Sequence, residues 1–172
     1  MVEEKSLMLE GENLAKVAVE SEMGAKQLQT IYRLAKTRPL AYVEAHVKRQ
    51  MSRIKGFMAF AKTLELLKKY EASPTLFTKV LMYAVMLYDY CEKEPVMKHR
   101  TVAEPVIRQV VEARGMTLSN VDMKLYGRSL GINVRVHRFS GNPKVLANEI
   151  EDALKRKGVF PGLSLRVWIE SK

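Results

Sequence analysis

The chain has 172 residues, of which 47% are hydrophobic, and a formal net charge of +10. A hydrophobic fraction of this size supports a folded core and excludes a wholly disordered protein. Because such an excess of positive charge concentrates polyanions, nucleic acid is the first partner to consider and an anionic membrane surface is the second.

The beginning of the chain predicts neither a signal peptide nor a membrane span. The segment "MVEEKSLMLEGENLAK" is acidic and lacks the apolar core of a secretory signal. The longest apolar run, Val80–Tyr88, is about half as long as the ~18 residues that a spanning helix needs. We therefore expect a soluble, cytoplasmic protein with no membrane partner.

Residues 1–95 predict a bundle of about four helices. The first ends at Gly24, and the second ends before Pro39, because the residue preceding a proline is disfavoured in the α region. Pro39 suits the first turn of the third helix, and Ser73 followed by Pro74 marks the start of the fourth. The predicted helices cover residues 13–23, 26–36, 39–70 and 74–90.

Residues 96–172 predict a smaller α/β region, so the fold class is mainly α with a C-terminal βαβ-like part. Thr101 and Glu104 have the spacing of a capping box, and Asn142 with Pro143 starts a later helix. Alternating apolar residues predict the strands. In chain order we predict helices over 101–115 and 119–130, a strand over 132–139, a helix over 142–158 and a strand over 163–170.

The segment Ala45–Leu64, "AHVKRQMSRIKGFMAFAKTL", has five Lys or Arg residues and no Asp or Glu. On one continuous helix its apolar residues form a core stripe, and small residues that include Gly56 form a strip among the cations. A glycine inside a helix costs about 0.5–1 kcal/mol relative to alanine. We interpret the strip as a track for a sugar–phosphate chain; the alternative is a solvated face of a basic protein. The stripe is Val47, Met51, Ile54, Met58 and Ala61, and the strip is Ala45, Ser52, Gly56 and Ala59.

Three stretches resemble the small subunit of type III-A CRISPR effector complexes. They are "KQLQTIYRLAK", "RPLAYVEAHVKR" followed by "FMAFAKTLELLKKY", and "LFTKVLMYAVMLYDY", which together cover roughly residues 24–93. The resemblance implies a non-catalytic, helical RNA-binding subunit of an antiviral ribonucleoprotein. It also implies that copies associate in a filament along guide RNA and target RNA, beside other effector-complex subunits.

In that family, basic surface residues bind the RNA backbone. Carried over to this chain, the resemblance implies RNA contacts by residues of the third predicted helix and of the helix before it. These residues are Lys48, Arg49, Arg53, Lys55 and Lys62, with Arg33, Lys36 and Arg38.

The predicted C-terminal strands carry aromatic and cationic residues opposite their apolar sides. Arg135, His137 and Phe139 lie on one strand, and Arg166 and Trp168 lie on the other. Such a face can stack on unpaired bases. We favour the alternative that the two aromatic side chains cover the sheet by packing on the helices of residues 101–130.

Candidate catalytic groups are sparse. His46, His99 and His137 lack metal-ligand spacing, and Cys91 cannot form an internal disulfide because it is the only cysteine. We expect no enzyme activity, no catalytic or metal-binding residue and no cofactor. Two alternatives remain open: a DNA-binding regulator with a helix-turn-helix over 101–130, and a protein-interaction module, favoured by ten methionines and a small sheet.

Overall fold

The structure is a computed structural model that describes residues 2–52 and 55–171, without the side chains of Val2 and Glu3. The described residues form a mainly α fold with a small α/β region, as predicted. The helices are α1 (Val2–Glu20), α2 (Ala25–Thr37), α3 (Leu40–Gln50), α4 (Phe57–Lys69), α5 (Pro74–Glu112) and α6 (Pro143–Arg156). The strands are β1 (Thr117–Tyr126), β2 (Ser129–His137) and β3 (Ser164–Ser171).

The chain divides into two compact units, Met1–Glu92 and Lys93–Lys172. The first unit contains α1 to α4 and the first part of α5. Its core is formed by fully buried side chains from every one of these helices. They include Leu14, Ala18, Leu28, Ile31, Val43, Val47, Phe60, Phe77 and Leu81.

Helix α1 starts at Val2, so the predicted start at residue 13 is wrong. Gly11 lies inside this helix, where it allows a close approach of α1 to α5. A Cβ atom at this position would lie 2.9 Å from the backbone nitrogen of Ala84 and 2.9 Å from the carbonyl oxygen of Val80. The glycine that weakens the helical sequence pattern is therefore required by the packing of the two helices.

The prediction of one helix over residues 39–70 is also wrong. Helix α3 ends at Gln50 and α4 begins at Phe57, with Gly56 as its N-cap residue. Gly56 has a φ of +84°, a left-handed conformation that side-chain-bearing residues rarely adopt. Its backbone N–H donates to the carbonyl oxygen of Ser21, 2.7 Å away, outside any helical ladder.

Helix α5 is continuous across the predicted boundary at residues 95 and 96. It begins at Pro74, as predicted, and includes both Pro95 and Pro105. The predicted capping box does not start a helix, because Thr101 and Glu104 lie within α5. Glu104 instead accepts a hydrogen bond from Arg100 Nε at 2.6 Å.

The second unit contains a three-stranded sheet in the order β1-β2-β3. Strands β1 and β2 are antiparallel, whereas β2 and β3 are parallel and are connected through α6. This arrangement confirms the βαβ prediction. The Asn142 side chain caps α6 by accepting from the backbone N–H of Lys144 at 2.9 Å, and Pro143 occupies the first turn, as predicted.

Residues 119–130, predicted as a helix, instead form most of strand β1, a turn and the start of β2. A bulge between Leu118 and Asn120 shifts the register, so that Leu118, Val121 and Leu125 are buried. Spacings of three and four residues imitate the period of a helix, which explains the error. The helix-turn-helix alternative is therefore wrong for these residues.

Candidate nucleic-acid interface

Three cations of the basic segment form ion pairs with carboxylates. Lys48 Nζ lies 2.7 Å from Glu44, and Lys62 Nζ lies 2.9 Å from Glu65. Both carboxylates belong to residues immediately outside the acid-free stretch 45–64. Hydrogen bonding from Lys48 lowers the pKa of Glu44 below its ordinary value.

The third pair joins distant segments, because Lys55 Nζ lies 2.6 Å from Glu22 in the connection between α1 and α2. Arg53, the remaining candidate between α3 and α4, lies outside the described residues. The interpretation of an unpaired basic helix is thus wrong for Lys48, Lys55 and Lys62, although each of these ammonium groups keeps some exposure to solvent.

The strip of small side chains does not form an open track. Gly56 and Ala59 are buried, and a Cβ atom at Gly56 would lie 3.2 Å from Met23 Cβ and 3.1 Å from the ring of Phe60. Met58, expected in the core stripe, is 61% exposed. The glycine is explained by packing inside the protein, and the strip gives no support to a nucleic-acid track.

Four other candidate cations have no carboxylate partner among the described residues. All four are exposed, three at or just beyond the C-terminal part of α2 and one in the last turn of α3. They are Arg33, Lys36, Arg38 and Arg49. The sequence explains why Arg33, Lys36 and Arg38 have no carboxylate nearby along the chain, because residues 23–43 contain no Asp or Glu.

Two tyrosines accompany these cations. Lys36 Nζ lies 5.5 Å from the centre of the Tyr32 ring, and the Arg38 guanidinium lies 5.7 Å from that of Tyr42. Tyr42 is 53% exposed, so part of its side chain is accessible to a ligand. Arg33, Lys36, Arg38 and Arg49 with Tyr32 and Tyr42 are called the α2–α3 patch below.

The backbone positions Arg38 between the two helices. Arg38 is extended, with φ −131° and ψ 154°, as expected for a residue before proline. Tyr42 and Arg49 are seven residues apart on α3, so they share one side of that helix. The buried residues Val43 and Val47 fix the opposite side against the core.

Two shallow grooves flank α2 in the first unit. The groove beside α5 has a volume of about 310 Å³, and its lining includes Lys36, Thr75, Thr78 and Lys79 beside the apolar Ala35, Pro74 and Met82. The groove beside α3 has a volume of about 220 Å³, and its lining includes Lys26, Thr30, His46 and Gln50. Hydroxyl, amide and ammonium groups of this kind are the usual contacts of phosphate and sugar oxygens.

Sequence reasoning missed the two tyrosines. The signal was available for Tyr32, because Lys36 follows it by four residues on α2 and side chains at this spacing meet on a helix surface. Arg38 is extended and precedes α3, so its contact with Tyr42 depends on the connection between the two helices. Aromatic rings interleaved with unpaired cations are typical of surfaces that bind single-stranded nucleic acid.

The preferred interpretation of the sheet aromatics is wrong for Trp168. Its side chain is 51% exposed, and Phe139 lies beyond the end of β2 and is half-buried. Arg135 Nε donates to Glu170 at 2.8 Å, and hydrogen bonds from Arg135 and Asn133 lower the pKa of Glu170. Arg135 is therefore held by a carboxylate.

Within the described part of the chain, no helix combines the length and apolar character needed to cross a membrane. The described histidine, cysteine and acidic side chains also form no group of three suited to holding a metal ion. Cys91 is buried.

No protein-family model matches this chain. No curated protein matches it either.

Proposed function

We propose that this protein is a non-catalytic RNA-binding subunit that holds the sugar–phosphate backbone on its α2–α3 patch. The observation that carries this proposal is the set of four exposed cations without carboxylate partners among the described residues. They are Arg33, Lys36, Arg38 and Arg49. Neutralising a phosphate with each cation releases condensed counterions, which is the main source of affinity in backbone recognition.

The α2–α3 patch is favoured over the paired lysines for an energetic reason. Lys48 and Lys62 must leave Glu44 and Glu65 before they can neutralise phosphate. An exposed ion pair is worth about 0.2–1 kcal/mol, so each exchange reduces the net gain. Arg33 and Lys36 meet no such competition from described carboxylates.

The family resemblance of residues 24–93 supports a place in a CRISPR ribonucleoprotein in the cytoplasm. In this proposal the patch follows guide RNA paired with target RNA, and copies of the chain assemble beside other effector-complex subunits. Met86 and Tyr90, both more than half exposed and one turn apart on α5, support a contact between copies. Backbone recognition suits such a role, because base pairing supplies the sequence specificity.

Two double variants with the same change in net charge test the proposal. The first is Arg33→Gln with Lys36→Gln, and the matched control is Lys48→Gln with Lys62→Gln. Binding of a labelled twelve-nucleotide single-stranded RNA is measured by fluorescence anisotropy across a salt series. We expect the first variant to reduce the slope of log affinity against log salt by about 1.4, since each single-strand contact contributes about 0.7.

The control variant is expected to change this slope by less than half as much. Equal changes in both variants would show that net charge alone matters, and an unchanged slope in the first variant would exclude the α2–α3 patch.

A further inference from the structure

The sheet of the second unit has one covered face and one open face. Alternate residues of β2 are fully buried on the covered face: Leu130, Ile132, Val134 and Val136. The residues between them, including Gly131 and Asn133, lie on the open face with their cross-strand partners on β1 and β3. On this open face a groove of about 710 Å³ is lined by Tyr126, Gly131, Asn133 and Trp168 among others.

Two aromatic side chains meet above Gly131. A Cβ atom at Gly131 would lie 2.8 Å from Trp168 Cζ3 and 3.1 Å from Tyr126 Cε2, so both rings contact this backbone position. Trp168 is 51% exposed and Tyr126 is 52% exposed. Glycine on the central strand lets both rings lie against the backbone, and together they form an aromatic platform open to solvent.

Cations flank the aromatic platform. Lys124 Nζ lies 5.5 Å from the centre of the Tyr126 ring. Arg166, opposite Gly131 on β3, is exposed. Neither cation forms an ion pair with a carboxylate of the described residues.

Two carboxylates, Asp122 and Glu170, also line the groove, and both are paired with Arg135. Among the described residues, the charges left without an ionic partner beside the rings are therefore positive and suit an anionic ligand.

We propose that this platform binds an unpaired base of single-stranded nucleic acid. The base stacks on Trp168 and Tyr126, and Lys124 and Arg166 contact the adjoining phosphates. A nucleotide strand is the occupant that combines flat rings with negative charge. This site goes beyond the proposed function, because it lies in the second unit and recognises bases as well as the backbone.

Trp168 gives the experiment a specific signal, because it is the only tryptophan of the chain. Tryptophan fluorescence of the full chain is recorded while an eight-nucleotide oligouridine is added at low salt. The comparison strand has the same length and backbone but is abasic. We expect oligouridine to quench the emission and the abasic strand to leave it nearly unchanged.

Variants then measure the contribution of stacking to affinity. Trp168→Ala is expected to weaken binding of labelled oligouridine by about tenfold, the scale of base–aromatic stacking. Trp168→Phe should retain most of the affinity, and Phe57→Ala, which removes an aromatic side chain of similar exposure on α4, should retain all of it. Circular dichroism checks that each variant is folded.

Several results would overturn the proposal. These are equal quenching by the abasic strand, unchanged affinity in Trp168→Ala, and a fluorescence shift that follows protein concentration without any nucleic acid. The last result would make the platform a contact between copies.

The variant Arg33→Gln with Lys36→Gln separates this proposal from the first. This variant should reduce the slope of log affinity against log salt but preserve the quenching of Trp168 emission at saturating oligouridine. Each of the two proposed sites can therefore be refuted without refuting the other.

Discussion

The backbone N–H of Gly56 donates to the carbonyl oxygen of Ser21 across 2.7 Å, which ties the start of α4 to the end of α1. The neighbouring Lys55 reinforces the connection through its ion pair with Glu22. Together these contacts explain why the basic segment bends. They also give Gly56 a structural role that is separate from nucleic-acid binding.

Gly56→Ser is expected to lower the free energy of unfolding by about 1–2 kcal/mol, because a side chain disfavours the left-handed backbone conformation. The matched control is Gly24→Ser, at the N-cap of α2, where φ is −70° and a Cβ atom would meet nothing within 4 Å. Urea denaturation followed by circular dichroism measures both variants. Serine is a favoured N-cap residue, so the control should be neutral or slightly stabilising. Similar losses in both variants would contradict the role of φ at Gly56.

Gly11→Ala tests the close contact between α1 and α5. Helix propensity alone predicts a gain of about 1 kcal/mol for this change in a helix interior. The added Cβ would instead approach the backbone of Val80 and Ala84, both at 2.9 Å, and backbone atoms cannot move aside cheaply. We expect a net loss of about 1–3 kcal/mol, as for other overpacked sites. Thermal and urea unfolding give the sign of the change, and a stabilised variant would refute the contact.

Tyr88→Phe tests a buried hydrogen bond and its pH dependence. The Tyr88 hydroxyl donates to the carbonyl oxygen of Met23 at 2.8 Å. Removing the donor leaves that carbonyl unpaired, at a cost of about 1–3 kcal/mol near neutral pH. Burial raises the pKa of Tyr88 above its ordinary value of 10.0. The stabilisation by this phenol is therefore complete below pH 10 and is lost as the pH rises through the raised pKa.

The free energies of unfolding of the Tyr88→Phe variant and of the unchanged protein should approach each other above pH 10. The phenol of Tyr88 can ionise there, whereas the phenylalanine of the variant cannot. Unfolding by urea at pH 7, 9 and 11 measures the convergence. A constant difference across this range would show that Tyr88 does not titrate with folding.

The sequence correctly predicts those helices and strands that depend on residues close together in the chain. The helix containing Leu28 and Ile31, the cap at Asn142 and the alternation along β2 and β3 all follow from neighbouring residues. The end of α3 could not be predicted, since the partner of Gly56 is Ser21, far away in the sequence. Strand β1 was missed because its bulge gives the buried residues a helical spacing.

In the candidate site, too, some features follow from neighbouring residues and others depend on the tertiary structure. The absence of acidic residues around α2 correctly indicates exposed cations at Arg33 and Lys36. The ion pairs of Lys48 and Lys62 could have been predicted, because Glu44 lies four residues before Lys48 and Glu65 lies three residues after Lys62. The pair between Lys55 and Glu22 depends on tertiary structure, so no local pattern reveals it.

The parallel pairing of β2 with β3 has a consequence for biosynthesis. β2 can pair with β1 soon after it leaves the ribosome, but its other edge has no partner until Ser164 and the residues after it have been made. During that interval the nascent chain presents unpaired N–H and C=O groups beside a hydrophobic surface, a combination that promotes aggregation. Chaperone protection is thus most valuable between the emergence of β2 from the ribosome and the emergence of β3.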